Sequence, residues 1–208
     1  MVLQVEIVSD VICPWCFLGK RRLDKALAAL PELSIDIRWR PFLLDATLPL
    51  AGMDRHEYMT RKFGAERLKT IHDPLIAAGK EDGVPFQFDK ITRTPNTLNA
   101  HRLIRWARDA GKQTEIVEAL FCAYWRDGRD IGNTETLIEI ANAHGLDLTN
   151  DFNSERDQKE VLHEIAEAQS MGITGVPTFV INRRHGLSGA QPAEVLIEAF
   201  QELAAATS

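Results

Sequence analysis

The sequence predicts an α/β protein in which a long helical insertion interrupts a small sheet. Strand-like alternation of apolar residues is confined to the two ends of the chain, and helical periodicity lies between them. Of the 208 residues, 45% are hydrophobic and 26% are charged, as is ordinary for a globular protein. We expect a terminal unit of residues 1–44 and 172–208 around an inserted helical subdomain of residues 45–171.

The charge balance and the hydropathy pattern exclude two classes of partner. With 24 basic and 30 acidic residues the net charge is −6, whereas nucleic-acid binding needs an excess of Lys and Arg. No apolar run approaches the roughly 18 residues of a membrane span. The first residues show no signal-peptide pattern, so we expect a cytoplasmic protein without nucleic-acid or membrane partners, as a monomer or homodimer.

The amino-terminal elements form a β-α-β unit. Alternating apolar residues predict strands over 2–9 and 34–42, with a helix over 14–30 between them. Pro14 occupies the favoured first turn of that helix, and Pro31 follows its end. This part of the chain therefore has regular elements on both sides of its first two cysteines.

Helical periodicity then fills the insertion, apart from one short extended piece expected over 84–88. Glycines separate the expected helices, which cover 54–62, 65–79, 96–110, 113–126, 134–144 and 154–171.

After Gly172 the strand period returns. Residues 176–181 predict a strand, and 184–188 its hairpin partner across a turn at Asn182 and Arg183. A last helix follows, starting from 189–192. The resulting β-α-β-β-β-α order is that of the thioredoxin fold, with the insertion between the second and third strands.

A Cys-Pro-Trp-Cys motif stands directly after the first strand and opens the first helix. Free backbone N–H groups and the helix dipole favour a thiolate at Cys13 in this position. Cys16 lies one turn further, on the apolar stripe of the same helix. We therefore assign Cys13 as the exposed attacking thiol and Cys16 as the shielded resolving thiol.

Two other interpretations of this pair are weaker. A zinc site needs two further ligands at short spacing, and the sequence supplies no suitable pair of histidines, so we expect no bound metal. Two inert core thiols are the other alternative, but a pair placed between a strand and a helix is typical of redox chemistry.

Pro177 opens the strand at 176–181. A proline at the start of a central strand is unusual unless its missing N–H has a purpose. We predict a cis Val176–Pro177 bond, which turns the backbone of Val176 toward an incoming peptide or glutathione beside Cys13. The alternative is a trans proline in an ordinary turn.

Four segments together resemble the FrnE-like branch of the DsbA-family thioredoxin-fold dithiol–disulfide oxidoreductases. They are Ser-Asp-Val-Ile-Cys-Pro-Trp-Cys-Phe-Leu-Gly-Lys (9–20), Asn-Thr-Leu-Asn-Ala-His-Arg-Leu (96–103), Gly-Ile-Thr-Gly-Val-Pro-Thr-Phe-Val-Ile-Asn (172–182) and Leu-Ser-Gly-Ala-Gln (187–191). The branch is related to 2-hydroxychromene-2-carboxylate isomerase and kappa-class glutathione transferase. The resemblance implies a thioredoxin fold, a CxxC nucleophile and a cis-proline loop.

The resemblance also implies roles for two residues of the insertion. It places Asn96 and His101 at the lip of the cleft, where His101 binds substrate or moves a proton. The alternatives are a cap at the start of a helix for Asn96, and a satisfied histidine beside an apolar face for His101.

Further substrate contacts are expected from Trp15, Val176 and Pro177. Gly189 and Gln191 precede the last helix, in the region that meets the carboxylate of glutathione in the glutathione-binding relatives. The alternative for these two residues is a capped helix without a ligand.

The sequence thus predicts a thiol–disulfide oxidoreductase acting on a thiol- or disulfide-bearing protein, peptide or small molecule. The glutathione-using relatives typically have Ser in place of Cys13 and lack a thiol at position 16. Both cysteines are present here, which favours dithiol–disulfide exchange over the alternative, a glutathione-dependent isomerase or transferase. A non-enzymatic peptide-binding module is a third interpretation. We expect no permanent cofactor, with glutathione as a candidate redox partner or ligand, and no catalytic role for Cys122.

Overall fold

The protein is described here from a computed structural model that covers residues 2–206. Met1, Thr207 and Ser208, which the sequence analysis assigned to the terminal unit, lie outside the described residues. Six strands and nine α-helices follow one another in these residues: β1 (Leu3–Ser9), α1 (Pro14–Ala28), β2 (Ile35–Pro41), β3 (Met53–Asp54), α2 (Arg55–Phe63), α3 (Ala65–Leu68), α4 (Asp73–Asp82), β4 (Arg93–Thr94), α5 (Leu98–Asp109), α6 (Gln113–Phe121), α7 (Thr134–Ala143), α8 (Gln158–Ser170), β5 (Thr178–Ile181), β6 (His185–Ser188) and α9 (Ala193–Ala205).

The main sheet has the strand order β2-β1-β5-β6. β1 lies parallel to β2 and antiparallel to β5, so that Ile7 pairs with Trp39 on one side and Phe179 on the other. β5 and β6 form a hairpin whose turn residues Asn182 and Arg183 have φ values of +50° and +58°. Both values are typical of a type I′ turn, whose twist matches that of the strands. The predicted thioredoxin fold is confirmed.

The insertion differs from its prediction in several places. The single helix expected over 65–79 is wrong, because Pro74 stands in the first turn of α4 and cannot continue a helix from α3. Residues 84–87 have no regular structure, and a 3₁₀ turn follows, so the extended piece expected over 84–88 is not a strand. β3 and β4, which pair antiparallel, were missed because two residues are too few to show alternation.

Neighbouring helices hold the first helix in place. α1 packs against α9 and α4, while α6 and α8 pack against β2. Phe17 of α1 stacks on Phe121 of α6, with ring centroids 5.1 Å apart and an interplanar angle of 11°. Burying a side chain of this size stabilises a fold by about 1.5–3 kcal/mol. The helix that carries the two cysteines is thus attached to the insertion as well as to the sheet.

One hydrophobic cluster includes buried residues of the sheet, of α1 and of the insertion, among them Val5, Phe17 and Leu103. The boundary expected at 44/45 therefore runs through a shared core, and the division into two subdomains stays a prediction. None of the helices within residues 2–206 combines the length and the apolar character needed to cross a membrane.

Candidate active site

Cys13 and Cys16 lie at the start of α1, where the chain leaves the end of β1. Cys13 is the N-cap residue, and Pro14 occupies the first turn, where its missing N–H costs nothing. The backbone carbonyl of Cys13 accepts hydrogen bonds from the N–H groups of Cys16 (3.0 Å) and Phe17 (3.3 Å). The two thiols therefore lie one turn apart at the positive end of the helix dipole.

Cys13 is more buried than the sequence analysis expected. Its exposed fraction is 3%, against 1% for Cys16, so the expectation of an exposed attacking thiol is wrong as a statement about surface exposure. Cys13 nevertheless lines a cavity, and Cys16 does not. The two thiols therefore differ in whether they line the cavity. Surface exposure does not distinguish them, because both are buried.

The ionisation of Cys16 is strongly disfavoured. Burial raises the pKa of the Cys16 thiol well above its usual value, and the hydrogen bond and charge of Cys13 raise it further. The Ser9 side chain and the Asp10 backbone act in the opposite direction. Cys16 is therefore a neutral thiol near pH 7 in the reduced protein.

The Val176–Pro177 peptide bond is cis and lies beside the cysteines. The thiol of Cys13 donates a hydrogen bond to the backbone carbonyl of Val176, with a sulfur–oxygen distance of 3.6 Å. Pro177 packs against α1 at Gly19, where an added Cβ would come within 2.9 Å of the proline ring. Only glycine fits this contact, which brings the loop close to the helix of the cysteines.

The cavity beside Cys13 has a volume of about 610 Å³, within the range usual for small-molecule sites. Cys13, Trp15 and Val176 form what we call the terminal wall, because they come from the ends of the chain. Trp15 is 41% exposed and stands at the edge of this wall. The terminal wall thus contains three of the residues predicted from the sequence, with Cys13 among them.

The insertion supplies the opposite side, which we call the inserted wall. It includes Arg55, His72, Phe88 and Trp125, together with other apolar residues of α2 and α4. Sequence reasoning missed all of these residues. A signal was present for Arg55, because a basic residue in the first turn of a helix opposes the helix dipole and needs another reason to be there.

Comparison with known proteins adds the family. Residues 4–201 match the DSBA-like thioredoxin domain. The chain belongs to this family. It is 32% identical to a probable DsbA oxidoreductase from Streptomyces coelicolor, and the two structures superpose with a TM-score of 0.87 over 96% of this chain and 89% of that one.

Two more distant structures share the fold of this DsbA-like chain. One is the cytosolic disulfide reductase DsbM from Pseudomonas aeruginosa, solved with GSH, at 21% identity and a TM-score of 0.67, covering 96% of this chain and 98% of that one. The other is a 2-hydroxychromene-2-carboxylate isomerase, at 16% identity and a TM-score of 0.73, covering 98% and 96%. The family and the Streptomyces structure support a thiol–disulfide oxidoreductase in general terms.

Asn96 does not line the cavity of this DsbA-like chain. Its side-chain oxygen accepts a hydrogen bond from the N–H of Leu98 (3.0 Å), and its amide donates to the carbonyl of Leu48 (2.9 Å). The side chain therefore caps the start of α5 and ties it to a preceding loop. The expected position at the lip of the cleft is wrong, because both polar atoms of the Asn96 side chain are hydrogen-bonded to backbone groups.

His101 is also away from the cavity, with 3% of its surface exposed. Its Nε2 lies 2.9 Å from the carbonyl oxygen of Phe42, to which it donates a hydrogen bond, and 3.4 Å from a carboxylate oxygen of Asp10. Asp10 in turn accepts a hydrogen bond from the N–H of Leu44 (2.7 Å). The lip position is wrong for His101 too, because the histidine fastens the segment after β2 to the buried Asp10.

Gly189 and Gln191 make contacts within the chain. The N–H of Gly189 donates to the carbonyl of Pro177 (2.8 Å), and the amide of Gln191 donates to the carbonyl of Ser188 (2.6 Å). Neither residue lines the cavity beside Cys13. Gly189 thus supports the loop of Pro177, and a ligand carboxylate at this position stays a prediction.

Cys122 lies in a π-helical turn that follows α6, where the sequence analysis expected a continuous helix to residue 126. Its thiol donates to the carboxylate of Glu118 (3.1 Å), and the residue is buried. Burial and the Glu118 carboxylate raise the pKa of Cys122 to about 11. In residues 2–206, no group of three or more potential ligand side chains is arranged to hold a metal ion.

Proposed function

We propose that this DsbA-like chain is a thiol–disulfide oxidoreductase in which Cys13 is the nucleophile and Cys16 is the resolving thiol. The observation that carries the proposal is the unequal access of two adjacent thiols at a helix N-terminus. Cys13 lines a cavity large enough for a substrate, whereas Cys16 lies behind it. The family supports this general activity.

In the reducing direction, the thiolate of Cys13 attacks one sulfur of a substrate disulfide and forms a mixed disulfide, while the first substrate thiolate leaves. Cys16 then loses its proton and attacks the sulfur of Cys13, and the second substrate thiolate leaves. The substrate gains two electrons, and the protein ends with a Cys13–Cys16 disulfide. The oxidising direction is the reverse sequence.

The surroundings of Cys16 support this order of events. Part of the rise in its pKa comes from Cys13, whose negative charge opposes a second thiolate. A mixed disulfide at Cys13 removes that charge. Cys16 therefore ionises more readily after the first attack than before it, which favours resolution of the intermediate.

The substrate contacts of the proposal are Trp15 and the backbone of Val176. The carbonyl of Val176 already accepts a hydrogen bond from Cys13, so a substrate strand alongside it would lie next to the nucleophile. Pro177 has no N–H and so offers no competing donor at this point. A cytosolic location and glutathione as the redox partner also belong to the proposal, in line with DsbM, a cytosolic disulfide reductase whose structure was solved with GSH.

Catalysed reduction of insulin disulfides by dithiothreitol tests the proposal. The wild type and Cys122→Ser should be equally active, and Cys13→Ser should be inactive. Cys16→Ser should accumulate mixed disulfides that mass spectrometry detects at Cys13. Faster labelling of Cys16 than of Cys13 by iodoacetamide in the reduced wild type would contradict the assignment of the two roles.

A glutathione-dependent isomerase is the second candidate, because the cavity has the size of a small-molecule site and an isomerase shares the fold. Cys16→Ser separates the two activities. An isomerase that binds glutathione without a disulfide step keeps its turnover in this variant. An oxidoreductase that uses both thiols loses its turnover.

A further inference from the structure

Arg55 has an unusual environment in the inserted wall. The residue is partly buried, and one nitrogen of its guanidinium lies 3.4 Å from the hydroxyl of Thr94 and 3.3 Å from that of Tyr124. The guanidinium also lies 5.7 Å from the ring centroid of Trp125. No carboxylate of residues 2–206 comes within 4.0 Å of it. A guanidinium makes strong charge-assisted hydrogen bonds to carboxylates, so an anion from outside the chain fits here.

The other cationic residues around the cavity, Lys62 and Arg67, are exposed to solvent, whereas Arg55 is partly buried. Lys62 lies 3.7 Å from the carboxylate of Asp45 and donates to the hydroxyl of Tyr58 (2.6 Å). Arg67 covers the ring of Phe63 at 5.8 Å. Within residues 2–206, neither Asp nor Glu lines the cavity, although the whole chain carries a net charge of −6. The cavity is therefore a positive region in an acidic protein, and its field attracts anions.

His72 adds a polar atom that has no partner among residues 2–206. Its ring stacks on Phe88 with centroids 3.8 Å apart, and its Nε2 is buried with no hydrogen bond to this part of the chain. Burial, and then the charge of Arg55, lower the pKa of His72, so the ring is neutral near pH 7. A neutral imidazole offers a hydrogen bond without adding charge, and the stacked ring extends the aromatic surface of the cavity.

Aromatic and aliphatic side chains supply the remaining inserted wall, including Phe63, Phe88 and Trp125. Such walls favour a flat apolar ligand with few polar groups. Building on the proposed function, we propose that the substrate is a low-molecular-weight disulfide with an aromatic body in the cavity and a carboxylate paired with Arg55. This pairing holds the disulfide bond of the substrate at Cys13.

The reaction balances without any further reagent. As the bond between Cys13 and one substrate sulfur forms, the substrate disulfide breaks and one aryl thiolate leaves. Cys16 releases its proton to solvent and attacks Cys13, and the second aryl thiolate leaves. The protein dithiol loses two electrons and the disulfide gains them.

Two aryl disulfides that differ in charge test the proposal. Reduced protein in a Cys122→Ser background is mixed with 5,5′-dithiobis(2-nitrobenzoate), which carries a carboxylate on each ring, or with 4,4′-dithiodipyridine, which is uncharged near pH 7. Stopped-flow absorbance gives the second-order rate constant for each reagent. The variants are Arg55→Gln and, as the matched control, Arg61→Gln, because Arg61 is exposed on the same helix and does not line the cavity.

For the carboxylated reagent, Arg55→Gln should lower the rate constant by about tenfold or more, which is the usual loss for one charge-assisted hydrogen bond. The rate constant for the uncharged reagent should change by less than about twofold, and Arg61→Gln should change neither by more than that. Arg55→Lys, which preserves the charge and most of the packing, should lower the rate constant for the carboxylated reagent by about threefold.

The proposal is overturned if Arg55→Gln slows both reagents equally, because a loss of general positive potential at Cys13 would act on both. It is also overturned if Arg55→Lys and Arg55→Gln leave the ratio of the two rate constants unchanged. These results differ from a failure of the proposed function itself. In that case the wild type forms no Cys13–Cys16 disulfide with either reagent.

Discussion

The two walls of the cavity differ in what they contribute. The terminal wall carries the reactive thiol and a backbone carbonyl beside it, in an arrangement set by one short motif and one proline loop. The inserted wall carries several aromatic rings and a guanidinium that has no carboxylate of residues 2–206 within 4.0 Å, all drawn from segments between residues 55 and 125. The comparison teaches that our two proposals assign reactivity and selectivity to different parts of this chain. Changes in one wall are expected to alter one property while preserving the other.

The largest expected effect is the removal of the nucleophile from the terminal wall. Cys13→Ser should lower the rate of disulfide exchange by about 10³-fold or more, because a hydroxyl at this position is not a comparable nucleophile near pH 7. Cys16→Ser should preserve the first attack and abolish turnover. The measurement is single-turnover reaction with an aryl disulfide beside multiple-turnover insulin reduction. Equal losses in both assays for Cys16→Ser would break the assignment of roles.

A smaller effect is expected from the contact that positions the terminal wall. In Gly19→Ala the added Cβ would meet the Pro177 ring at 2.9 Å and the Cα of Ala190 at 3.6 Å. Overpacking of this kind costs about 1–3 kcal/mol, which exceeds the gain of about 0.5–1 kcal/mol from alanine in a helix. Urea unfolding should therefore show a less stable variant with slower exchange.

The matched control is Gly186→Ala in β6, where an added Cβ meets nothing within 4 Å. Its free energy of unfolding should change by less than about 0.5 kcal/mol. If Gly19→Ala were as stable as the wild type and equally active, the close contact between α1 and Pro177 would have no part in holding the site.

The link between the inserted wall and α1 gives the third prediction. Asp82, at the end of α4, accepts hydrogen bonds from Arg22 (2.7 Å) and Lys25 (2.6 Å) of α1. Asp82→Asn should lower the free energy of unfolding at pH 7 by about 1–2 kcal/mol, because the side chains of Asp82 and Arg22 are only 11% and 17% exposed. Glu66→Gln, which removes an exposed ion pair with Lys69, is the control and should cost less than about 0.5 kcal/mol.

The loss of unfolding free energy caused by Asp82→Asn should depend on pH. Burial raises the pKa of Asp82, but the hydrogen bonds from Lys25 and Arg22 outweigh it, so the folded-state pKa lies below 3.8. The stabilisation is therefore full above the unfolded-state pKa of about 3.9 and is lost as the pH falls through the folded-state value. Unfolding curves at pH 7 and pH 3 should show the difference from wild type shrinking. An equal difference in unfolding free energy at the two pH values would contradict an ionic origin of this stabilisation.

The smallest effect is expected for Cys122, which belongs to neither wall. Cys122→Ser should exchange disulfides at the wild-type rate, and iodoacetamide should modify Cys122 slowly near pH 8. Burial and Glu118 raise the pKa of this thiol to about 11, so its rate of alkylation should rise about tenfold per pH unit up to that value. A disulfide between Cys122 and either cysteine of α1, detected by mass, would contradict this prediction.

Much of the terminal wall could be predicted from the sequence, because its features depend on residues that are close together in the chain. A strand period, a proline in a first helical turn and a cysteine on each side of that proline are all within one window of about 20 residues. The hairpin of β5 and β6 was likewise indicated by Asn182 and Arg183 between two short strands. Backbone preferences of neighbouring residues were enough to define these elements, and the structure has them in the expected order.

The inserted wall could not be predicted from the sequence, because packing between distant segments brings its residues together. Arg55, His72 and Trp125 meet around one cavity although as many as 70 residues separate them in the sequence, and no periodicity within a helix indicates which of its side chains will share a cavity. The same reason explains why Asn96 and His101 were placed wrongly. Their hydrogen bonds go to backbone atoms of Leu48 and Phe42, which only the folded chain brings near. Local sequence therefore determined the reactive motif, whereas tertiary packing decided its burial and its surroundings, because the energy of contacts between distant segments is not encoded in any short window.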